Sequence, residues 1–182
     1  MSRLTVYPEE QPQNILLQTD DAAEIAAVLG RDLNVRFERW HLDAPVPADA
    51  TAEAILEIYR PYLDRLMGET GAGSADVIKM TPDHPGAAAM RAKFLAEHIH
   101  TEDEVRFFVA GAGNFLIHEN GKVYDAHCTM NDLISVPAQA RHWFETGERP
   151  HFTVLRVFTD TSGWVAQFTG NDIALQFPAV VA

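Results

Sequence analysis

Residues 97–113 read EHIHTEDEVRFFVAGAG and place a cluster of titratable side chains at the start of a β-rich run. His98 and His100 are two residues apart, and such residues point to the same face of an extended strand. Glu104 has the same parity, but a straight strand at roughly 3.3 Å per residue would carry it about 13 Å beyond His100. Ligands of one metal ion lie only about 2 Å from that ion. The three side chains can therefore share an ion only if the chain bends within 101–103.

A helix over the same residues fits less well. It would place His100 and Glu104 one turn apart, but His98 would lie about 200° around the axis from His100. We therefore predict a bent strand. Three neutral imidazoles and one carboxylate suit a divalent first-row metal such as iron, nickel, manganese or cobalt. A six-coordinate ion would keep two positions for substrate or dioxygen. A structural zinc site favours four closed ligands and more cysteine than this chain has.

The third imidazole has to come from elsewhere in the chain. The candidates are His118, His127, His142 and His151. His142 follows a turn and shares a face with Phe144. On periodicity alone it is only modestly favoured over the other three histidines as the third imidazole. His118 runs directly into the turn residues 119–122, so we predict that it is exposed at a hairpin end. His41, His127 and Cys128 are interpreted as packing or surface residues.

Arg106 interrupts the apolar run that follows the cluster. It has the parity of Glu104 and Phe108, so we predict that it points inward with them. A buried guanidinium needs an anionic partner. The partner is either a protein carboxylate or an oxyanion of a substrate, and the sequence leaves both open.

Composition limits the cellular setting and the partners. The chain has 182 residues with 14 basic and 26 acidic side chains, a net charge of −12 that disfavours nucleic acid. It lacks an apolar run long enough to span a membrane, and an apolar run that would make a signal peptide. Cys128 is its one cysteine, which suits a reducing cytoplasm. We expect a cytoplasmic monomer that binds neither nucleic acid nor membrane.

The pattern along the chain favours a mainly β fold with helices in the N-terminal half. Helices are predicted over 19–30, capped by Thr19 or Asp20 and ended by Gly30, over 49–68, interrupted by Pro61, and over 85–97. Strands are predicted over 34–42, 75–80, 104–110, 114–118, 122–127, 133–136, 140–144, 152–158 and 164–168. Many short strands indicate an antiparallel sandwich or barrel. We predict one domain over 1–182, with a mixed helical front portion over 1–97 packed on a barrel core over 98–170.

Several separated motifs resemble a known family. HIHTEDE (98–104), followed by Gly111, is similar to the first cupin motif, and DLISVPAQARHWF (132–144) is similar to the second. The second motif departs from the usual pattern because Gln139 or Ala140 stands where glycine is common. Together with GWVAQFTGNDIA (163–174), VRFERW (35–40) and KFLAEH (93–98), they closely resemble the bacterial acireductone dioxygenases. The resemblance covers nearly the whole chain.

The resemblance implies a cupin-type antiparallel β-barrel, or jelly roll, and a metal-dependent enzyme. The implied ligands of one Fe²⁺ or Ni²⁺ per chain are His98, His100, Glu104 and His142. The implied reaction is the cleavage of acireductone, 1,2-dihydroxy-5-(methylthio)pent-1-en-3-one, by dioxygen in methionine salvage. With iron the products are 4-methylthio-2-oxobutanoate and formate, and with nickel they are methylthiopropionate, formate and carbon monoxide.

The resemblance also assigns roles to neighbouring residues. Arg106 would be a catalytic residue that assists formation of the substrate dianion. Phe94, Phe144 and Trp164 would surround the substrate pocket, although the simpler interpretation is core aromatics. Glu97 and Asp103 would have auxiliary roles, and the alternative for them is a solvated run of charges.

Two other functions stay open from the residues alone. One is another mononuclear-metal cupin, such as a sugar-phosphate isomerase, which would need several basic residues around the ion. The predicted barrel core supplies mainly Arg106, Arg141 and Arg156. The other is a metal-holding module that binds a small ligand without catalysis. Metal-dependent consumption of dioxygen separates both from a dioxygenase.

Overall fold

The computed structural model describes residues 1–42, 45–160 and 165–177. The strands in these ranges are β1 Arg3–Pro8, β2 Leu17–Thr19, β3 Arg36–Arg39, β4 Ser74–Met80, β5 His98–Ile99, β6 Glu104–Glu119, β7 Lys122–Thr129, β8 Asp132–Val136, β9 Arg141–Glu145, β10 Phe152–Phe158 and β11 Gln167–Phe168. The helices are α1 Ala22–Leu33, α2 Ala52–Ile58, α3 Arg60–Thr70 and α4 Ala87–Leu95, followed by a 3₁₀ helix at Ile173–Gln176. The predicted fold class, mainly β with helices, is confirmed.

The strands form two antiparallel sheets that share β6. The first sheet has the order β2-β1-β7-β6-β9-β5-β11, and the second has the order β3-β8-β6-β10-β4. Residues 104–111 of β6 pair in the second sheet, and residues 112–119 pair in the first. Within the described ranges the strand path does not return on itself. The predicted barrel is therefore an open, cupin-like pair of sheets rather than a closed ring.

Gly111 allows β6 to pass from one sheet to the other. Its φ is 69°, in the region that favours glycine. A Cβ at this position would lie 1.9 Å from the carbonyl oxygen of His151, so a side chain cannot fit without moving the backbone. The pairing with β10 also shifts register between Thr153 and Val154. The two strands predicted over 104–110 and 114–118 are thus one bent strand.

The main core lies between the sheets and is rich in aromatic side chains. Phe108, Phe115, Phe144 and Phe152 are all buried there, and α1 adds apolar side chains from one side. A second cluster packs α2 and α3 against the outer face of the second sheet. A third places Phe177 and the 3₁₀ helix on the outer face of the first sheet. The guanidinium of Arg106, near the start of β6, lies against two of these core rings, those of Phe115 and Phe144.

Two helix boundaries differ from the sequence prediction. Helix α1 is capped by Asp21, whose carboxylate accepts from the backbone amide of Glu24, rather than by Thr19 or Asp20. It also continues through Gly30 to Leu33, and Asn34, with a φ of 54°, caps its C-terminus. A single glycine costs a helix only about 1 kcal/mol, which the buried side chains of α1 offset. The predicted interruption near Pro61 is confirmed, because α2 ends and α3 begins around Tyr59.

Residues 1–97 contribute strands to both sheets. β1 pairs with β7 in the first sheet, and β4 pairs with β10 in the second. β1 and β2 have no counterpart among the predicted strands. The single domain over 1–182 with its core over 98–170 stays a prediction. Among the helices described, none has the length and apolar content that crossing a bilayer requires.

Candidate metal centre

Three imidazole rings meet at one end of the space between the sheets. His98 on β5 and His142 on β9 are direct cross-strand partners. His100 follows β5, and the three ring centroids are 4.6 to 5.3 Å apart. One ring nitrogen from each histidine lies within 4.8 Å of the other two. All three side chains are buried, so the fold collects them where bulk water does not compete.

The chain bends between His100 and Glu104 as the sequence predicted. The bend is held by the loop before β9: the backbone amide of Gln139 donates to the carbonyl of His100 at 2.8 Å. The backbone amide of Ala138 donates to the carboxylate of Asp103 at 2.9 Å. Gln139 has a φ of 66°, which explains why glycine is common at this place in the motif. Its side-chain amide also donates to His100, a bond that glycine would lack.

Backbone carbonyls orient two of the imidazoles. Nδ1 of His98 lies 2.7 Å from the carbonyl oxygen of Ala96, and Nδ1 of His142 lies 2.8 Å from that of Ala140. Each Nδ1 therefore donates, which leaves the lone pair on Nε2. Burial lowers the pKa of His98 to about 4 and also lowers the pKa of His100. Neutral imidazole with a fixed tautomer is the form that binds a metal ion.

Glu104 brings a carboxylate to the same point. Its Oε2 lies 2.8 Å from Nε2 of His142 and 3.9 Å from Nε2 of His100. Neither Oε2 nor His142 Nε2 has an aligned hydrogen bond among the described residues. Burial alone would raise the pKa of Glu104, but Arg106 and then His142 hold that pKa well below its usual range. A carboxylate and an imidazole lone pair so close together need a cation or a proton between them. The donor set therefore fits a divalent metal ion.

Arg106 points inward, as its parity predicted. It is buried, and its Nε and Nη2 donate to Oε1 of Glu104 at 2.8 and 2.5 Å. Of the two partners that the sequence left open, a protein carboxylate is present. Its guanidinium lies over the ring of Phe144, with the central carbon 4.7 Å from the centroid. The remaining nitrogen, Nη1, has no hydrogen-bond partner among the described residues.

A pocket of about 620 Å³ opens above this cluster. Its floor is polar and comprises His98, His100, Glu104 and Arg106. Its apolar side includes Phe94, Phe158 and residues from a segment that we call the C-terminal wall, residues 165–169. Its charged rim contains Lys93 and a pair in which Arg156 donates to Asp76 at 2.8 and 2.5 Å. The pocket therefore suits a small molecule with one anionic end and one apolar end.

The three predicted pocket aromatics have different positions. Phe94 lines the pocket. Phe144 is fully buried behind Phe94, with ring centroids 6.1 Å apart, and it packs in the main core. Trp164 lies outside the described residues.

The predicted auxiliary acids also differ from each other. Asp103 is exposed and binds the backbone of Ala138. Glu97 is 1% exposed and binds His118. The prediction that His118 is exposed is wrong: it is 4% exposed and lies between Glu97 and Glu9. Alternation along β6 predicts which face of the sheet carries His118. It does not predict that residues 9 and 97, which are distant in sequence, cover that face.

The remaining histidine candidates lie away from the cluster. His127 is buried, and its Nδ1 bonds the amide oxygen of Asn114 at 2.9 Å. Cys128 is buried in the main core. His151 is exposed at the carbonyl that faces Gly111.

Comparisons with known proteins agree with this geometry. The model of the ARD/ARD′ family matches residues 3–166. An acireductone dioxygenase of Acidiphilium cryptum is 64% identical over 178 residues, covering 98% of each chain. One of Gluconacetobacter diazotrophicus is 59% identical and covers 98% of this chain and 99% of its own.

A solved structure is also similar. It is the acireductone dioxygenase from Bacillus anthracis with a cadmium ion in its active centre. The TM-score is 0.79 at 26% identity, covering 92% of this chain and 98% of that one. A relative of this fold thus holds a metal ion in its active centre.

Proposed function

This chain belongs to the ARD/ARD′ family, and we propose on that premise that it is a metal-dependent dioxygenase that cleaves acireductone. The proposed ligands of one ion per chain are His98, His100, Glu104 and His142. The observation that carries the proposal is the buried pair of acceptors, Glu104 Oε2 and His142 Nε2, which lie 2.8 Å apart and have no aligned hydrogen bond within the part of the chain that the structure describes. A bound cation would resolve their repulsion and complete the site.

We propose Fe²⁺ or Ni²⁺ as the resident ion, because imidazole with carboxylate suits both. The ion would supply two open coordination positions for an enediolate or dioxygen and would favour the electron-rich form of the substrate. With iron the expected products are 4-methylthio-2-oxobutanoate and formate. With nickel they are methylthiopropionate, formate and carbon monoxide. We place the enzyme in methionine salvage as a cytoplasmic monomer.

The pocket supports one orientation of the substrate. Acireductone has enediol oxygens at one end and an apolar methylthio tail at the other. The polar floor would receive the enediol, and Phe94, Phe158 and the C-terminal wall would receive the tail. The apolar side would also exclude water from the floor, which strengthens the electrostatic interactions there.

Arg106 has a double role in this proposal. Its Nε and Nη2 fix the ligand Glu104, and its free Nη1 is placed to donate to a substrate oxyanion at the floor. A preorganised guanidinium in a buried pocket stabilises developing negative charge more than it would in water. Arg106 would thus help to hold the substrate as a dianion.

A sugar-phosphate isomerase is less favoured. The basic side chains that line the pocket are Lys93, Arg106 and Arg156, and both arginines are already paired with carboxylates. Lys93 alone of the three lacks a carboxylate partner among the described residues, and one such cation suits a small enediolate better than a phosphate ester.

Metal content of ligand variants tests the site. Metal-free protein is reconstituted with one equivalent of Fe²⁺ or Ni²⁺, and the bound metal is counted by elemental analysis after gel filtration. The parent should keep about one ion per chain, and His142→Ala should keep much less. His127→Ala removes another buried histidine and should keep the parent stoichiometry. Equal retention by His142→Ala and the parent would contradict the proposed ligand set.

A further inference from the structure

A buried histidine outside the metal cluster links the pocket to the rest of the fold. His118 lies near the end of β6, on the face opposite the main core, and is 4% exposed. Its Nδ1 lies 2.6 Å from Oε1 of Glu97, and its Nε2 lies 2.6 Å from Oε2 of Glu9. Each ring nitrogen therefore faces a carboxylate oxygen, which accepts a hydrogen bond from whichever nitrogen carries a proton. No role in metal binding or substrate contact uses this residue.

Glu97 continues the chain of contacts toward the pocket. Its second oxygen, Oε2, accepts from the hydroxyl of Thr169 at 2.5 Å. Its backbone carbonyl accepts from the amide of Thr169 at 3.1 Å. Both ends of Glu97 thus hold the same residue of the C-terminal wall. Glu97 is almost fully buried, so its carboxylate cannot bond to bulk water. It depends instead on its bonds with His118 and with the hydroxyl of Thr169.

The C-terminal wall has few other attachments among the described residues. β11 pairs with β5 at two positions, Gln167 with Ile99 and Phe168 with His98. The ring of Phe168 also contacts that of His98, with centroids 6.0 Å apart, and the backbone of Val165 accepts a hydrogen bond from the imidazole of His100. Val165 and Phe168 are 68% and 55% exposed, so apolar burial does not anchor them. Yet Val165, Ala166 and Phe168 all line the pocket. The two hydrogen bonds between Thr169 and Glu97 therefore supply a substantial share of the attachments that hold this side of the pocket.

We propose that His118 is a positioning residue for the substrate pocket, acting through Glu97 and Thr169 on the C-terminal wall. Its donation to Glu97 fixes the carboxylate, and the fixed carboxylate holds the wall over the metal centre. Glu9 holds the far side of the ring and sets its orientation. The proposal rests on the proposed function, because the wall contacts the apolar tail of acireductone.

Two replacements of His118 separate its two nitrogens. The amide nitrogen of His118→Asn occupies about the position of Nδ1 and can keep the bond to Glu97. The amide nitrogen of His118→Gln reaches about the position of Nε2 and keeps only the bond to Glu9. In iron-loaded protein, His118→Gln should raise the KM for acireductone at least about threefold and leave kcat within about twofold. His118→Asn should stay close to the parent.

Thr169→Val tests the other end of the chain of contacts, because it removes the hydroxyl that donates to Glu97 and leaves an exposed side chain of similar shape. It should raise KM as His118→Gln does, and the double variant should be no worse than Thr169→Val alone. Amide hydrogen exchange gives a readout that does not need activity. Exchange within 165–169 should accelerate in His118→Gln and Thr169→Val but not in His118→Asn.

His127→Gln is the matched control, because His127 is a buried histidine whose hydrogen-bond partner is Asn114 on β6 instead of a residue linked to the wall. It should change the melting temperature without changing KM or exchange within 165–169. If His118→Gln and Thr169→Val behave in the same way as this control, the positioning role is overturned. An inactive parent with accelerated exchange in the two variants would instead retain the positioning role and overturn the proposed function.

Discussion

Single side chains prepare the metal centre through bonds that lie behind it. Carbonyl oxygens of Ala96 and Ala140 orient two imidazoles, and Arg106 orients Glu104 with two hydrogen bonds. Replacing a residue that hydrogen-bonds a metal-ligating side chain, on the side away from the ion, commonly lowers metal affinity by about 10- to 100-fold. Arg106 is therefore expected to affect the metal as well as the substrate.

Arg106→Lys tests this expectation. An ammonium cannot reproduce the two-bond contact with Glu104, so metal affinity should fall about 10- to 100-fold. The affinity is measured by competition with a chelator. Arg91→Lys is the control, since Arg91 makes a similar two-bond contact with the buried Glu145 outside the pocket. Parent affinity in Arg106→Lys with slow turnover would mean that Arg106 acts on the substrate alone.

Lys93 is the pocket-lining cation that has no carboxylate partner among the described residues, on a chain with a net charge of −12. Lys93→Met should raise the KM for anionic acireductone about fivefold at low salt, equivalent to about 1 kcal/mol. The difference should shrink as salt screens it. Steady-state kinetics across ionic strengths measure this, with Lys122→Met on the distant hairpin as control. An equal effect of both variants would assign the change to net charge instead of position.

The sequence predicts some of these side chains better than others. The spacing of His98, His100 and Glu104 predicts a shared ion and requires the bend at 101–103, which is present. His142 was separated from three other histidines mainly by family resemblance, because the pairing of β5 with β9 cannot be read from periodicity. The contacts of His118 depend on residues 9 and 97, and local pattern carries no information about such distant partners.

Among the elements, β6 determines the architecture because it belongs to both sheets. Its turn at Gly111 carries Glu104 and Arg106 to the pocket and Ile117 and His118 to the other sheet. The sequence predicted two strands here, since GAGN (111–114) resembles a turn. The hydrogen-bond ladder to β7 and β10 instead continues across these residues with one register shift. A glycine that bends a strand and a glycine that ends it are not distinguished by local sequence.

Gly111→Ala should damage this element severely. The added Cβ would meet the carbonyl oxygen of His151 at 1.9 Å in a backbone with positive φ. The expected loss is at least about 3 kcal/mol of unfolding free energy, measured in urea. Gly121→Ala is the matched control, because Gly121 also has positive φ but open space around it. It should lose only about 1 kcal/mol. Equal losses at the two glycines would contradict the steric account.

On the scale of the whole molecule, stability should depend on pH through a carboxyl remote from the metal centre. Asp125 accepts from the amide of Asn114 at 2.7 Å, and burial raises its pKa from 3.8 to about 6. The folded state therefore holds the proton of Asp125 more tightly than the unfolded state does. The stability that this protonated carboxyl contributes is fully present below about pH 4 and is lost as the pH rises through 6. Above pH 6 the folded protein contains a buried charge.

Asp125→Asn should therefore stabilise the protein at pH 7.5 and have little effect at pH 4. The gain should be up to about 3 kcal/mol, at about 1.4 kcal/mol per pKa unit. Urea unfolding at both pH values measures the difference from the parent. Asp64→Asn, at an exposed position on α3, should show no such pH dependence. A gain of the same size at pH 4 would contradict the raised pKa.

The overall fold class was readable from the sequence, but the arrangement of the strands was not. Alternation and turn residues predicted most strands after residue 98 within a few residues. β1 and β2 were missed because their short runs lack a clear local signal, and they become strands through long-range pairing of β1 with β7 and of β2 with β1. The same long-range pairing leaves the strand path open among the described residues, a detail of the predicted cupin-type fold that local sequence does not contain.

The most direct measurement of the central claim is product analysis of one protein loaded with two metals. Metal-free protein is reconstituted separately with Fe²⁺ and Ni²⁺ and mixed with acireductone and dioxygen. Only loaded protein should consume dioxygen faster than the buffer blank. The iron form should give 4-methylthio-2-oxobutanoate and formate, and the nickel form should give methylthiopropionate, formate and carbon monoxide. Dioxygen consumption no faster than that of metal-free protein with either metal would contradict the account.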